Sequence, residues 1–126
     1  PFFTDMPRRY AQATVAITRG GATSLAELAV VGVPAIIVPY PDSIGDHQRL
    51  NARFYEENGA ARVVEQRGDS VAEMTDAIAE LATDPLRLRA MADAMHALGK
   101  PDAAADVAEQ LLHLTGGQQV QRRRSA

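Results

Sequence analysis

The sequence contains no cysteine, and this absence excludes several classes of protein. A disulfide scaffold and a thiolate metal site are both ruled out, and the composition agrees with a reducing cytosol. Long apolar runs are missing too: no stretch approaches the ~20 residues of a membrane-spanning helix, and no charged-then-apolar signal segment is present. A formal net charge of −3 argues against nucleic acid as the partner.

The length and the two ends of the sequence suggest part of a larger protein. With 126 residues the chain forms at most one domain with one modest core. It begins at Pro1 with a stretch typical of the end of a strand, so we expect residues 1–115 to be part of a C-terminal domain. A Gly/Gln/Ser-rich stretch with three arginines at 122–124 predicts a disordered basic tail over 116–126, the alternative being a weak contact with an anion.

The stretch Ala13–Val38 organises the rest of the chain. A short β-branched run, Val15–Thr18, ends at Arg19-Gly20-Gly21; a helical pattern covers Ser24–Val31, Gly32 closes it, and an apolar run, Ala35–Val38, follows. One helix between two apolar strands most simply returns the chain in parallel, within a covered sheet. Such a sheet binds its ligand at the carboxyl ends of the strands. The polar loops 19–24 and 39–48 leave those ends, so we expect them to face one cleft.

The remaining elements follow from helical spacing and from turn residues. We predict helices over Met6–Ala13, Asp46–Asn58, Ser70–Leu81, Pro85–Leu98 and Pro101–Leu114, and a third strand over Ala61–Glu65. In the helix that starts at Asp46, the side chains of Leu50, Phe54 and Tyr55 are available to pack. We expect the terminal helices to cover the sheet. The predicted fold class is therefore α/β, with a parallel sheet flanked by helices.

Gly20 and Gly21 follow a predicted buried strand and precede a helix. Glycine lets the backbone come close to a ligand, and the start of the helix points free N–H groups and its positive dipole end into the cleft. This arrangement suits a phosphate or diphosphate, to which Thr23 and Ser24 add hydroxyl donors. The alternative is an ordinary tight turn, since the spacing matches neither Gly-x-Gly-x-x-Gly nor a Walker loop.

Glu27 has two interpretations that its position does not separate. Ser24-x-x-Glu27 is the capping-box pattern, in which the carboxylate only satisfies the backbone N–H of Ser24. In the alternative, the carboxylate accepts hydrogen bonds from two vicinal hydroxyls of a sugar, as an acidic residue does for ribose in nucleotide sites.

Asp46, His47 and Gln48 start the helix that follows the second predicted strand. A histidine there is more often structural and a glutamine more often solvated, so each alone is weak support for a site. Together, opposite the glycine pair, they offer donors and acceptors suited to sugar hydroxyls. His96 and His113 are interpreted as surface residues, and no spacing fits a metal site or a Ser-His-Asp or Cys-His set.

Two consecutive segments carry a family likeness. ITRGGATSLAELAVVGVPAIIVPYP and DHQRLNARFYEENGAARVVEQ resemble the bacterial UDP-N-acetylglucosamine transferases of peptidoglycan lipid synthesis, glycosyltransferase family 28. The likeness covers Pro1–Leu114 and corresponds to the donor-binding C-terminal half. It implies part of a GT-B glycosyltransferase, in which the UDP-sugar binds between two Rossmann-like halves and mainly to the C-terminal one.

The resemblance also implies roles for particular side chains. It places Ala22, Thr23 and Ser24 beside the diphosphate of UDP-N-acetylglucosamine, Glu27 on the ribose hydroxyls, and His47 with Gln48 on the N-acetylglucosamine, so that with Gly21 these form the expected substrate-binding set. Some members of the family carry glutamine in place of His47. Asn51 belongs to the same motif and is interpreted as structural support.

The implied reaction transfers N-acetylglucosamine from UDP to the muramoyl 4-hydroxyl of lipid I, giving lipid II with inversion and without a cofactor or metal. It needs a base for the acceptor hydroxyl and stabilisation of the departing diphosphate. We expect the base, the acceptor loops and a patch facing the cytoplasmic side of the plasma membrane in an N-terminal domain outside this sequence. The enzyme would then be peripheral to that membrane, and this chain alone would not turn over substrate.

Two other hypotheses remain open at this point. The chain could belong to a related GT-B transferase that uses another UDP-sugar or glycolipid acceptor, since the fold and phosphate loop would be shared. It could also belong to a donor-binding subunit that is not itself an enzyme and needs a membrane-bound partner, as in split dolichol-linked N-acetylglucosamine transferases.

Overall fold

The computed structural model describes residues 3–114, which form three strands and six α-helices. In chain order these are α1 (Met6–Gln12), β1 (Ala16–Thr18), α2 (Ala22–Val31), β2 (Ala35–Ile37), α3 (His47–Glu57), β3 (Ala61–Val63), α4 (Ser70–Thr83), α5 (Pro85–Ala97) and α6 (Ala103–Leu114). A short 3-10 turn, Ile44–Asp46, precedes α3. The predicted elements are all present, and no end is shifted by more than two residues. The predicted tail over 116–126 lies outside the described residues.

The three strands form one parallel sheet in the order β1-β2-β3. Ala16 pairs with Ala35, and Ala35 pairs in turn with Ala61. All three residues of β2 are buried, which explains why its sequence is apolar throughout rather than alternating. The predicted strand-helix-strand unit with parallel strands is therefore confirmed, and the carboxyl ends of all three strands lie at one edge of the sheet.

Two groups of apolar side chains pack on the two faces of the sheet. On one face, buried residues of α2, α3 and α5 pack with β2 and β3: Leu25, Leu28, Ala29, Val33, Ala35, Ile37, Ala52, Ala60, Ala61 and Met95. On the other face, residues of α4 and α5 pack on Ile36 and Val64: Ala77, Leu81 and Met91. The chain is thus an α/β sheet covered by helices, as predicted, with α5 contributing to both groups.

Two packing predictions are right only in part. Every residue of α6 is exposed, so this helix does not cover the sheet, whereas α4 and α5 do. In α3, Tyr55 packs on the core, but Leu50 and Phe54 are more than half exposed, and the small Ala52 is the buried residue. The buried face of α3 was predicted from its large apolar side chains, but the helix packs on the sheet closely through the small Ala52. None of the helices within residues 3–114 is both long and apolar enough to cross a membrane.

Candidate functional site

The glycine turn after β1 touches the start of α3. Gly20 is buried, and a Cβ at this position would lie only 2.2 Å from the backbone oxygen of Gln48. The Nδ2 of Asn51 donates a hydrogen bond of 2.9 Å to the carbonyl oxygen of Gly20. The loops that follow β1 and β2 therefore meet at the same edge of the sheet, as the parallel order required. Asn51 has the supporting contact that the sequence suggested.

Helix α2 begins at Ala22, two residues before the predicted start. Gly21 is its N-cap in an extended conformation, with φ −71° and ψ 126°, and no side chain caps the helix. The backbone N–H of Leu25 bonds to the carbonyl oxygen of Gly21 at 3.1 Å, which is the first helical hydrogen bond. Ser24 therefore lies inside the first turn, and the capping-box interpretation of Glu27 is wrong.

The first turn of α2 is open to a ligand. Ala22 and Thr23 are exposed, and Ser24 is half-buried. The leading N–H groups of a helix have no intrahelical partner, and here no side-chain cap occupies them. Together with the positive end of the helix dipole, these N–H groups and the two hydroxyls form a site suited to an anionic group such as a phosphate.

Glu27 lies one helical turn after Thr23, on the same face of α2. Its exposed side chain lines a cavity of about 680 Å³ between α1 and α2, with Met6 and Tyr10 on the opposite side. Burial raises the pKa of Tyr10, and the hydrogen bond from its hydroxyl to Glu27 and the nearby carboxylate charge raise it further. A carboxylate has about four lone-pair sites, so Glu27 keeps capacity for hydroxyl donors of a ligand.

Gln48 is anchored by its own amide group. Its Oε1 accepts a hydrogen bond of 3.0 Å from the backbone N–H of Tyr40, just after β2. With the oxygen occupied, the Nε2 group is the part of the side chain left to donate to a ligand. His47 is exposed at the start of α3, with its ring beside Gly45, which has a positive φ of 61°. Gln48 therefore lies beside the glycine turn, and His47 precedes it in the first turn of α3.

Asp46 has a charged partner within the chain. Its Oδ2 lies 3.0 Å from Nη1 of Arg49, whose Nε is also 3.2 Å from Oε1 of Glu65. This side chain is therefore engaged in an ion pair, and the charge of Arg49 is balanced by two carboxylates. Sequence reasoning missed this cluster, because Glu65 is 16 positions from Arg49 and follows β3.

Arg19 is a second residue that the sequence reasoning passed over. Its Nη1 donates to Oε1 of Gln66 at 2.6 Å and to the carbonyl oxygen of Val38 at 3.3 Å. The feature of the sequence that could have pointed to Arg19 is a positively charged residue directly before Gly20 and Gly21. His96 and His113 are exposed on α5 and α6, and among residues 3–114 no group of three or more His, Asp or Glu side chains is arranged to hold a metal.

A parallel α/β sheet with a glycine turn, an uncapped helix start and polar side chains at the carboxyl edge defines a Rossmann-like domain, here part of the C-terminal half of a GT-B glycosyltransferase. The glycosyltransferase family 28 C-terminal domain matches residues 1–111. The chain belongs to this family.

Individual relatives agree with this assignment. The chain is 40% identical over 117 residues, 93% of its length, to "UDP-N-acetylglucosamine--N-acetylmuramyl-(pentapeptide) pyrophosphoryl-undecaprenol N-acetylglucosamine transferase" of Pseudomonas paraeruginosa. It is 44% identical over 113 residues, 90% of its length, to the protein of the same name from Nitratidesulfovibrio vulgaris. It covers 33% and 31% of these two proteins, so the chain spans about a third of the curated relatives it matches.

Two solved structures resemble the fold. MurG of Acinetobacter baumannii matches with a TM-score of 0.75 at 30% identity, over 87% of this chain and 31% of that one. The glycotransferase of kitacinnamycin matches with a TM-score of 0.60 at 28% identity, over 86% of this chain and 28% of that one. The matched part of the fold is thus common to transferases that carry different names.

Proposed function

We propose that this chain is the donor-binding part of a UDP-N-acetylglucosamine transferase that forms lipid II from lipid I in peptidoglycan synthesis. The observation that carries the proposal is the contact between Gly20 and Gln48, which joins a phosphate-type helix start to polar side chains suited to a sugar. A nucleotide diphosphate sugar has these two parts side by side. The names of relatives at 40% and 44% identity supply the particular donor and acceptor.

The diphosphate would lie at the start of α2. Gly21 lets the backbone approach it, because a Cβ there would have no atom within 4 Å and the space in front is open. The backbone N–H groups of this turn and the hydroxyls of Thr23 and Ser24 would then stabilise, by hydrogen bonds, the charge that grows on the diphosphate as it leaves. This is the chemical contribution that the described residues support.

The ribose and the hexose would lie on opposite sides of that diphosphate. Glu27 would accept hydrogen bonds from the ribose hydroxyls, since it lines the cavity one turn further along α2. The Nε2 group of Gln48, with His47 beside it, would donate to hydroxyls of the N-acetylglucosamine. This placement along the cleft is the basis for the proposed roles of all seven predicted substrate-binding residues: Gly21, Ala22, Thr23, Ser24, Glu27, His47 and Gln48.

The remaining parts of the reaction would come from outside this chain. Direct attack of the acceptor hydroxyl on the sugar carbon inverts its configuration and needs a base, which we assign to the N-terminal part of the full-length protein. We also assign to that part the lipid I site and the contact with the cytoplasmic face of the membrane. On this proposal the chain alone binds donor but does not turn it over.

The test is UDP affinity in the full-length protein with Glu27→Ala, using Glu57→Ala as the matched control. Glu57 is an exposed glutamate at the end of α3, on another element. Hydrogen bonds to a charged group contribute about 1.5–3 kcal/mol each, so UDP should bind at least ~10-fold more weakly to the first variant only. Equal UDP affinity of both variants would contradict the ribose assignment.

A second candidate is a GT-B transferase with another sugar or acceptor, which the structural match to the kitacinnamycin glycotransferase favours. Assays of the full-length protein with lipid I and with other hydroxyl acceptors separate the two. Transfer to lipid I supports the first proposal; transfer only to another acceptor supports the second.

A further inference from the structure

We propose that Arg19 is a positioning residue that orients Gln48 toward the hexose, and not a ligand of the diphosphate. The inference rests on the proposed function, because it assigns Gln48 to the sugar. A cation next to Gly20 and Gly21 would ordinarily be assigned to the phosphates. A phosphate ligand and a positioning residue make different predictions for UDP binding and for the choice of sugar.

The guanidinium of Arg19 crosses the carboxyl edge of the sheet, away from α2. The side chain starts just after β1, and its guanidinium donates to the carbonyl oxygen of Val38, just after β2, and to Gln66, which follows β3. The cavity that Arg19 lines is bounded by residues of α4 and of the connection between β3 and α4, including Gln66, Ser70 and Met74, and by none from α2. Its guanidinium is therefore held toward the connection between β3 and α4.

Arg19 is linked to Gln48 through a stiff segment. Val38, whose oxygen accepts from Arg19, is followed by Pro39-Tyr40-Pro41, and both prolines fix their φ angles. The guanidinium carbon lies 5.8 Å from the centre of the Tyr40 ring, within cation-π range. The N–H of Tyr40 in turn holds the Oε1 of Gln48. Fixing this segment from the Arg19 side therefore fixes which way the Gln48 amide faces.

The segment supplies its own probe. Proline has no backbone N–H, so Tyr40 carries the one amide hydrogen between Pro39 and Pro41, and that hydrogen bonds to Gln48. Its exchange with solvent, followed by NMR in the full-length protein, reports directly on the Tyr40–Gln48 contact. This readout needs neither substrate nor activity.

The experiment compares Arg19→Lys and Gln66→Ala with Arg89→Lys, which alters an exposed ion pair with Asp93 on α5. Lysine keeps the positive charge but lacks the planar guanidinium group, with which arginine can donate to two acceptors at once. Loss of about one hydrogen bond should raise Tyr40 exchange and lower the kcat/KM preference for UDP-N-acetylglucosamine over UDP-N-acetylgalactosamine about fivefold in both test variants. Inhibition by UDP should be unchanged in all three, and Arg89→Lys should match the parent throughout.

Two results would overturn the inference. One is weaker UDP inhibition in Arg19→Lys with no effect of Gln66→Ala, which would make Arg19 a phosphate ligand. The other is Tyr40 exchange that stays at the parental rate in both test variants. A parent protein that transfers no sugar from UDP-N-acetylglucosamine would contradict the proposed function instead, and Tyr40 exchange would still decide whether Arg19 holds the segment.

Discussion

Gly20 and Gly21 are adjacent in the chain, yet alanine should lower stability at the first position and UDP binding at the second. At Gly20 the new Cβ would lie 2.2 Å from the oxygen, 2.8 Å from the carbonyl carbon and 2.9 Å from the Cα of Gln48. All three are backbone atoms, so no side chain can turn away. At Gly21 the new Cβ would meet nothing within 4 Å.

The expected magnitudes follow from these surroundings. Overpacking typically costs about 1–3 kcal/mol, so Gly20→Ala must push α3 away from the turn at roughly that loss of unfolding free energy. At Gly21, alanine is a poorer N-cap by about 1 kcal/mol, but it stabilises by about 0.4–1 kcal/mol through a stiffer unfolded chain. Gly21→Ala should therefore leave stability nearly unchanged.

The assay measures thermal unfolding and UDP binding for both variants in the full-length protein. For a domain of about 150–250 residues, the loss at Gly20 corresponds to a lower Tm by roughly 2–12 °C. Gly21→Ala should keep the parental Tm but bind UDP about tenfold more weakly, because its methyl group occupies the space proposed for the diphosphate. Equal Tm values for the two variants would refute the close contact, and parental UDP binding by Gly21→Ala would refute the placement of the diphosphate.

Two further predictions concern α3. Gln48→Ala should reduce the preference for UDP-N-acetylglucosamine over UDP-N-acetylgalactosamine about fivefold or more, because the lost amide faces the hexose. Inhibition by UDP should stay intact. An unchanged ratio of the two kcat/KM values would be inconsistent with that role. Asn51→Asp should lower Tm and UDP affinity more than Asn51→Ala does, because a carboxylate would face the carbonyl oxygen of Gly20 where the amide now donates. If Asn51→Ala is the more damaging change, the hydrogen bond is not what Asn51 contributes.

Much of the fold could be predicted because its signals are local. The apolar run at Ala35–Ile37 and the glycines around α2 predict a parallel strand-helix-strand unit, and the parallel order alone brings the two polar loops to one edge. The start of α2 was misplaced because Ser24 and Glu27 fit a capping pattern by chance. Nothing in that pattern shows that the extended Gly21 has already begun the helix.

The missed parts of the site depend on contacts between distant residues. Arg19 and Gln66 are 47 positions apart, and Arg49 and Glu65 belong to different elements, so neither pair leaves a periodic signal. The exposure of Leu50 and Phe54 has a similar origin, since the depth at which α3 sits is set by what it packs on. Side-chain partners across a sheet edge follow from the assembled fold rather than from any one segment.

The backbone contact between Gly20 and Gln48 limits how this domain can be recombined with its relatives. A chimaera that imports only the loop and helix after β2, in order to change the sugar, brings a new helix start against the old glycine turn. Because the two backbones touch without an intervening side chain, a small change in helix position cannot be absorbed there. Transplanted donor specificity should therefore require a cassette that carries Gly20, Gln48 and Asn51 together, with its junctions in β1 and after α3.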